Sequence, residues 1–73
     1  MKGNISGHNI KQLRMQRGWT VEQAARQLTA LGWECTAQQV FQMEEGVRPI
    51  SDIDLLFYCK LYQVPVQMLL GNL

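Results

Sequence analysis

An all-α fold follows from three features read together: four hydroxyl residues placed to cap helices, four glycines placed to end them, and no alternating apolar-polar stretch long enough for a strand. Each capping residue has an apolar residue just before it and another four positions after it, the pair that fixes how the chain enters a helix. Ser6 has Ile5 and Ile10, Thr20 has Trp19 and Ala24, Thr36 has Cys35 and Val40, and Ser51 has Ile50 and Leu55. The stops are Gly18, Gly32, Gly46 and Gly71, each following a helical stretch where a left-handed residue ends a helix at low cost.

Five segments result, at about 7–17, 21–31, 37–45, 52–62 and 66–70, with Pro49 and Pro65 between segments. The first places Ile10 and Leu13 on one face. The second starts with a capping box, Thr20 with Gln23, and turns Ala24, Ala25 and Leu28 inward. The third repeats the box with Thr36 and Gln39 and buries Val40 and Met43. The fourth offers Leu55, Leu56, Cys59 and Tyr62 to the core, and the fifth is a single short turn. The small Ala25 lets the second and third helices cross closely.

The 73 residues make one small domain, and 47% hydrophobic with 18% charged residues is too apolar and too weakly charged for a disordered chain. No run approaches the roughly 20 apolar residues of a membrane span, and the polar, Gly-rich start does not resemble a signal peptide; the expectation is a cytoplasmic protein. Cys35 and Cys59 are too far apart for a CxxC site and His8 stands alone, so the expectation is no metal, no cofactor and two cysteines in the core. There is no Ser/His/Asp, Cys/His or paired-carboxylate arrangement that points to an enzyme. The net charge of +1 is low for a nucleic-acid binder, so the positions of the individual cations matter more than their sum.

Three stretches, "IKQLRMQRGWTVEQAARQL", "TAQQVFQMEEGVRPISD" and "LLFYCKLYQVPVQMLLGN", together resemble the Cro and phage-repressor type of helix-turn-helix DNA-binding domain. The resemblance rests on the order and spacing of Arg14 before Gly18, Ala25 in mid helix 2, Glu44 before Gly46, and Arg48-Pro49 before helix 4. It implies a lambda-repressor-like five-helix bundle over residues 1–73, with the helix-turn-helix at about 20–45. The chain departs from the commonest pattern in three places. "TALGWEC" lengthens the connection between helices 2 and 3, as in a subset whose helix 4 starts like "DIDLL" here; Ala37 replaces a polar reader; and Val21 replaces a phosphate-contacting Gln.

In such a fold the third helix lies in the major groove of double-stranded DNA. With Val40 and Met43 inward, Ala37, Gln38, Phe41, Gln42 and Glu45 face outward, and the base-reading set is Ala37, Gln38, Phe41 and Gln42. Gln can bond adenine N6 and N7 together and an apolar group can touch a thymine methyl, so an A/T-leaning site is expected; the alternative is a solvated polar face. The expected phosphate contacts are Thr20, Gln23, Thr36, Arg48, Arg17 and Lys11, from side chains and free helix N-termini. The resemblance further implies an interior ion pair between Arg14 and Glu44, the alternative being two exposed charges; Arg26 and Lys60 read as surface charges.

A sequence-specific transcriptional regulator, acting as a homodimer that reads two half-sites, is the function expected. Leu61, Val66, Leu70 and Leu73 form a candidate dimer surface, unless they pack on helix 1. The rival is a protein-binding module on the same scaffold, with Phe41 beside Glu45 docking a protein partner in place of DNA.

Overall fold

A computed structural model describes residues 5–70. It consists of α1 (Ile5–Gln16), α2 (Val21–Ala30), α3 (Ala37–Glu44), α4 (Asp52–Tyr62) and α5 (Val66–Leu70), and no strand occurs among the described residues. The fold is the lambda-repressor-like five-helix arrangement. Among the described residues no helix is long and apolar enough to cross a membrane.

Local chemistry sets the starts of α2, α3 and α4. Thr20 Oγ1 accepts from the Gln23 N–H at 3.2 Å while Gln23 Oε1 accepts from the Thr20 N–H at 2.8 Å. Thr36 and Gln39 close the same reciprocal box, both bonds 3.1 Å. Ser51 forms a third with Asp54, whose shorter carboxylate still reaches back to the Ser51 N–H at 3.0 Å. Each box satisfies two of the amide donors that a helix start leaves unpaired. Ser6 does not cap α1: it lies inside the first turn, because the helix already begins at Ile5. The Ile5 side chain, Gly71 and Leu73 lie outside what is described.

Helix ends follow the glycines only in part. Gly18 has φ +72°, and a Cβ there would meet nothing within 4 Å, so glycine is required by the backbone conformation and not by crowding. The end of α4 has no glycine; Gln63 itself takes the left-handed conformation, φ 55°, and its N–H donates to the Cys59 carbonyl. Helix α2 ends at Ala30, with Leu31 as its cap, and the lengthened connection to α3 is not a loose loop. Trp33 packs tilted against Phe57, ring centroids 5.3 Å apart, and meets Tyr58 edge-on at 5.6 Å, while Cys35 is buried. The extra residues of the turn therefore anchor the helix-turn-helix unit to α4.

The core collects Ile10 from α1, Ala24, Ala25 and Leu28 from α2, Cys35 from the α2–α3 connection, Val40 and Met43 from α3, Leu55, Tyr58 and Tyr62 from α4, and Leu69 from α5. One expectation is corrected here. Leu56 is 60% exposed and Tyr58 takes its place inside, because the buried face of α4 runs through 55, 58 and 62, and one residue on from Leu55 is already turned by about 100°. Cys59 is half-buried at the edge of the core, and both cysteines are free thiols. Helix α2 packs more extensively on α3 than any other described helix pair does on each other, with the small Ala25 buried between them and the core.

Candidate nucleic-acid interface

Helix α3 divides cleanly into two faces. Val40, Met43 and Glu44 are buried, whereas Gln38 and Phe41 are exposed and Gln42 is half-buried. With Glu45, which continues near-helical geometry as the cap, Gln38, Phe41 and Gln42 stand at i, i+3, i+4 and i+7 and so form one stripe. Phe41 keeps 52% of its surface exposed in the middle of that stripe, an unusual place for a large aromatic side chain. Ala37 falls outside it: it is half-buried and packs against the core, since the first residue of α3 lies one position before Gln38 and is turned by about 100° from it.

What holds this stripe in place is the buried pair behind it. Arg14 Nε donates to Glu44 Oε2 at 2.7 Å, a second guanidinium nitrogen donates to Glu44 Oε1 at 3.0 Å, and a third donates to the Trp19 carbonyl at 2.7 Å. The Glu44 side chain is 1% exposed and that of Arg14 13%. This fork ties α1, the α1–α2 turn and α3 together, and a bidentate guanidinium fixes orientation as well as distance. The hydrogen bonds to Glu44 raise the Arg14 pKa above its usual value against the opposing effect of burial. The neighbouring Tyr58 and Tyr62 phenols are pushed well up, chiefly by burial. The Tyr62 hydroxyl is buried without a hydrogen-bond partner among the described residues, and that of Tyr58 has only the Met43 sulfur at 3.9 Å.

The expected phosphate contacts separate into two groups. Thr20 and Thr36 sit at the starts of α2 and α3, and the exposed Gln23 uses its Oε1 for the cap while its amide nitrogen has no partner among the described residues. Arg48 is exposed, and the loop carrying it is docked on α3: the Val47 and Arg48 N–H groups both donate to the Gln42 carbonyl, at 2.9 and 3.1 Å. Of these four, Thr36 immediately precedes α3 and the loop carrying Arg48 follows it.

Arg17 and Lys11 do not join them. Arg17 folds back over Tyr62 and Trp19, its guanidinium 5.1 and 5.6 Å from the two rings, and donates to the Tyr62 carbonyl at 2.8 Å. The reason is the orphan carbonyl at the end of α4, which a cation satisfies well. Lys11 pairs with Glu45 at 3.2 Å, so its charge is neutralised at the end of the stripe. Nothing local in the sequence signals this contact, since 34 positions separate the partners. Sequence reasoning also passed over Val47, which is 72% exposed beside Arg48 and adds an apolar contact next to Phe41's helix.

Of the residues expected at a dimer surface, Leu61 packs against the core, Val66 and Leu70 are exposed, and Leu73 lies outside the described residues. Cys35 and Cys59 both have thiol pKa values raised by burial, Cys35 further by Asp54 and with Arg48 opposing, which makes them poor nucleophiles. Among the described residues no group of His, Cys, Asp and Glu could hold a metal ion.

A family model described as helix-turn-helix matches residues 10–69. No curated protein and no solved structure matches the chain.

Proposed function

From its membership of the Cro/C1-type helix-turn-helix family, a family of DNA-binding regulators, we infer that the chain is a cytoplasmic, sequence-specific transcriptional regulator that inserts α3 into the major groove of double-stranded DNA. The domain spans residues 1–73, with the helix-turn-helix at about 20–45. The observation that carries this reading is the stripe of Gln38, Phe41 and Gln42, backed by a buried ion pair, on a helix capped by Thr36 and followed by the loop that carries Arg48. Gln38 and Gln42 supply bidentate donors and acceptors for adenine, and Phe41 an apolar surface for thymine methyls. Thr20, Gln23, Thr36 and Arg48 take phosphates.

Two copies acting together complete the reading. With Arg17 bonded to the Tyr62 carbonyl and Lys11 paired with Glu45, one domain neutralises few phosphates, and a homodimer on two half-sites doubles the contacts. Selection from random oligonucleotides with the purified protein tests this. An A/T-leaning motif is expected, and Gln38→Ala and Gln42→Ala should each weaken binding to it by ~1 to 3 kcal/mol while leaving random-sequence affinity nearly unchanged. Equal loss on selected and random duplexes would remove the two glutamines from the reading set.

A second reading is favoured by the exposed Phe41 and Val47 and by the scarcity of free cations around them: α3 docks a protein partner in place of DNA. Failure of the selection to yield any motif supports it.

A further inference from the structure

The outer face of α4 carries an apolar patch that the DNA-reading surface leaves unused. Ile53 is 64% exposed and Leu56 60%, and with Phe57 and Lys60 they line a shallow cavity of about 210 Å³. Their spacing, i, i+3, i+4 and i+7, makes a continuous stripe on the side of the helix opposite Leu55, Tyr58 and Tyr62. Such a seam is the pattern by which one helix packs along another. Phe57 is held rigid from behind by Trp33, and the Lys60 ammonium lies 5.9 Å from its ring, so the aliphatic stem of Lys60 covers one end of the stripe.

The charges along α4 select what can cover this stripe. Its first turn carries Asp52 and Asp54 and its last turn carries Lys60. Asp54 is held in the capping box with Ser51, which leaves the exposed Asp52 as the free acid at that end. A second copy laid parallel would set Asp52 against Asp52 and Lys60 against Lys60. Laid antiparallel, with Leu56 and Phe57 meeting across a two-fold axis, each Lys60 arrives at the end of the other helix that carries Asp52. The helix dipoles then oppose as well. The patch is thus self-complementary, as an isologous interface demands.

We propose that the outer face of α4 is a homodimer surface, in which Ile53, Leu56 and Phe57 pack against the same residues of a second copy and Lys60 pairs with the partner's Asp52. This assigns the surface that the dimer reading above leaves open, and places it on α4 instead of on the C-terminal leucines. Four side chains fall well short of the roughly 800 Å² per partner of a standard interface, so the pairing is weak and concentration-dependent in the absence of DNA.

Sedimentation velocity of the full chain over about two decades of concentration, without DNA, tests it. A rise from monomer to dimer is expected in the parent. Leu56→Gln, at an exposed position, should abolish the rise with an unchanged helical circular dichroism signal. Lys60→Glu and Asp52→Lys should each suppress dimerisation, and the combined charge swap should restore it. Dimerisation of Leu56→Gln like the parent, or no recovery in the folded charge swap, would overturn the α4 surface while leaving a dimer formed elsewhere intact. A parent that stays monomeric throughout would overturn it too, without touching the base-reading assignment of α3.

Discussion

Replacing Glu44 by alanine should unfold most of this protein's stability margin. A domain of this length has roughly 4 to 11 kcal/mol in total, from about 0.05 to 0.15 kcal/mol per residue. The Glu44 carboxylate is nearly inaccessible and receives two guanidinium hydrogen bonds, so its removal leaves Arg14 with only the Trp19 carbonyl in a site 13% open to water. Breaking a buried pair by deleting one partner costs about 3 to 5 kcal/mol, because the remaining charge stays desolvated; the better helix propensity of alanine offsets only a few tenths of that. In a domain of this size such a loss lowers Tm by roughly 12 °C or more. Urea denaturation followed by circular dichroism measures it, with Glu45→Ala as the control. Glu45 is exposed and its pair with Lys11 contributes ~0.5 kcal/mol or less. A Glu44→Ala midpoint equal to the parent's would refute the argument. The combined Arg14→Met and Glu44→Leu variant probes the cause: if the cost is an unpaired charge, replacing both partners by apolar groups should recover at least half of it.

The other expectations concern charge. Glu45→Gln releases Lys11 at the end of the reading stripe, so random-sequence DNA should bind more tightly and the salt slope should steepen by about one; adding Lys11→Met should return the slope to the parent's value, and persistence of the steeper slope would exclude Lys11. Arg48→Ala should weaken all duplexes alike and make the salt slope shallower by about one, so an unchanged slope would take Arg48 out of the phosphate contacts. Burial holds the Tyr58 and Tyr62 phenols neutral in the folded protein, so the stability they confer is complete below the unfolded tyrosine pKa of about 10 and is lost as pH rises above it, by ~1.4 kcal/mol per pH unit for each. Tyrosinate absorbance should therefore appear together with loss of helical signal, and its appearance near pH 10 in a folded chain would contradict the burial of both rings.

Much of this molecule is written in short-range chemistry. A capping box spans four residues and a left-handed glycine acts on its own backbone, so the starts of α2, α3 and α4 and the end at Gly18 were legible in the sequence itself. The inward faces of α2 and α3 were legible for the same reason, since helical periodicity is local. The Arg14–Glu44 pair came from resemblance to a family, because 30 positions separate the partners and no local rule joins them. Only the tertiary structure decided which cations remain for a ligand. Arg17 is recruited by the carbonyl and ring of Tyr62, 45 positions away, together with the nearby Trp19 ring, and Lys11 by the last residue of the reading stripe, 34 positions away. The face of α4 was likewise undecidable from a segment apolar nearly all round, "DIDLLFYCKLY", until Trp33 from the lengthened turn covered Phe57 and left Ile53 and Leu56 outside. Local backbone preferences act within a turn of helix, whereas the use of a charge or an apolar side chain depends on what the fold brings within a few ångströms of it.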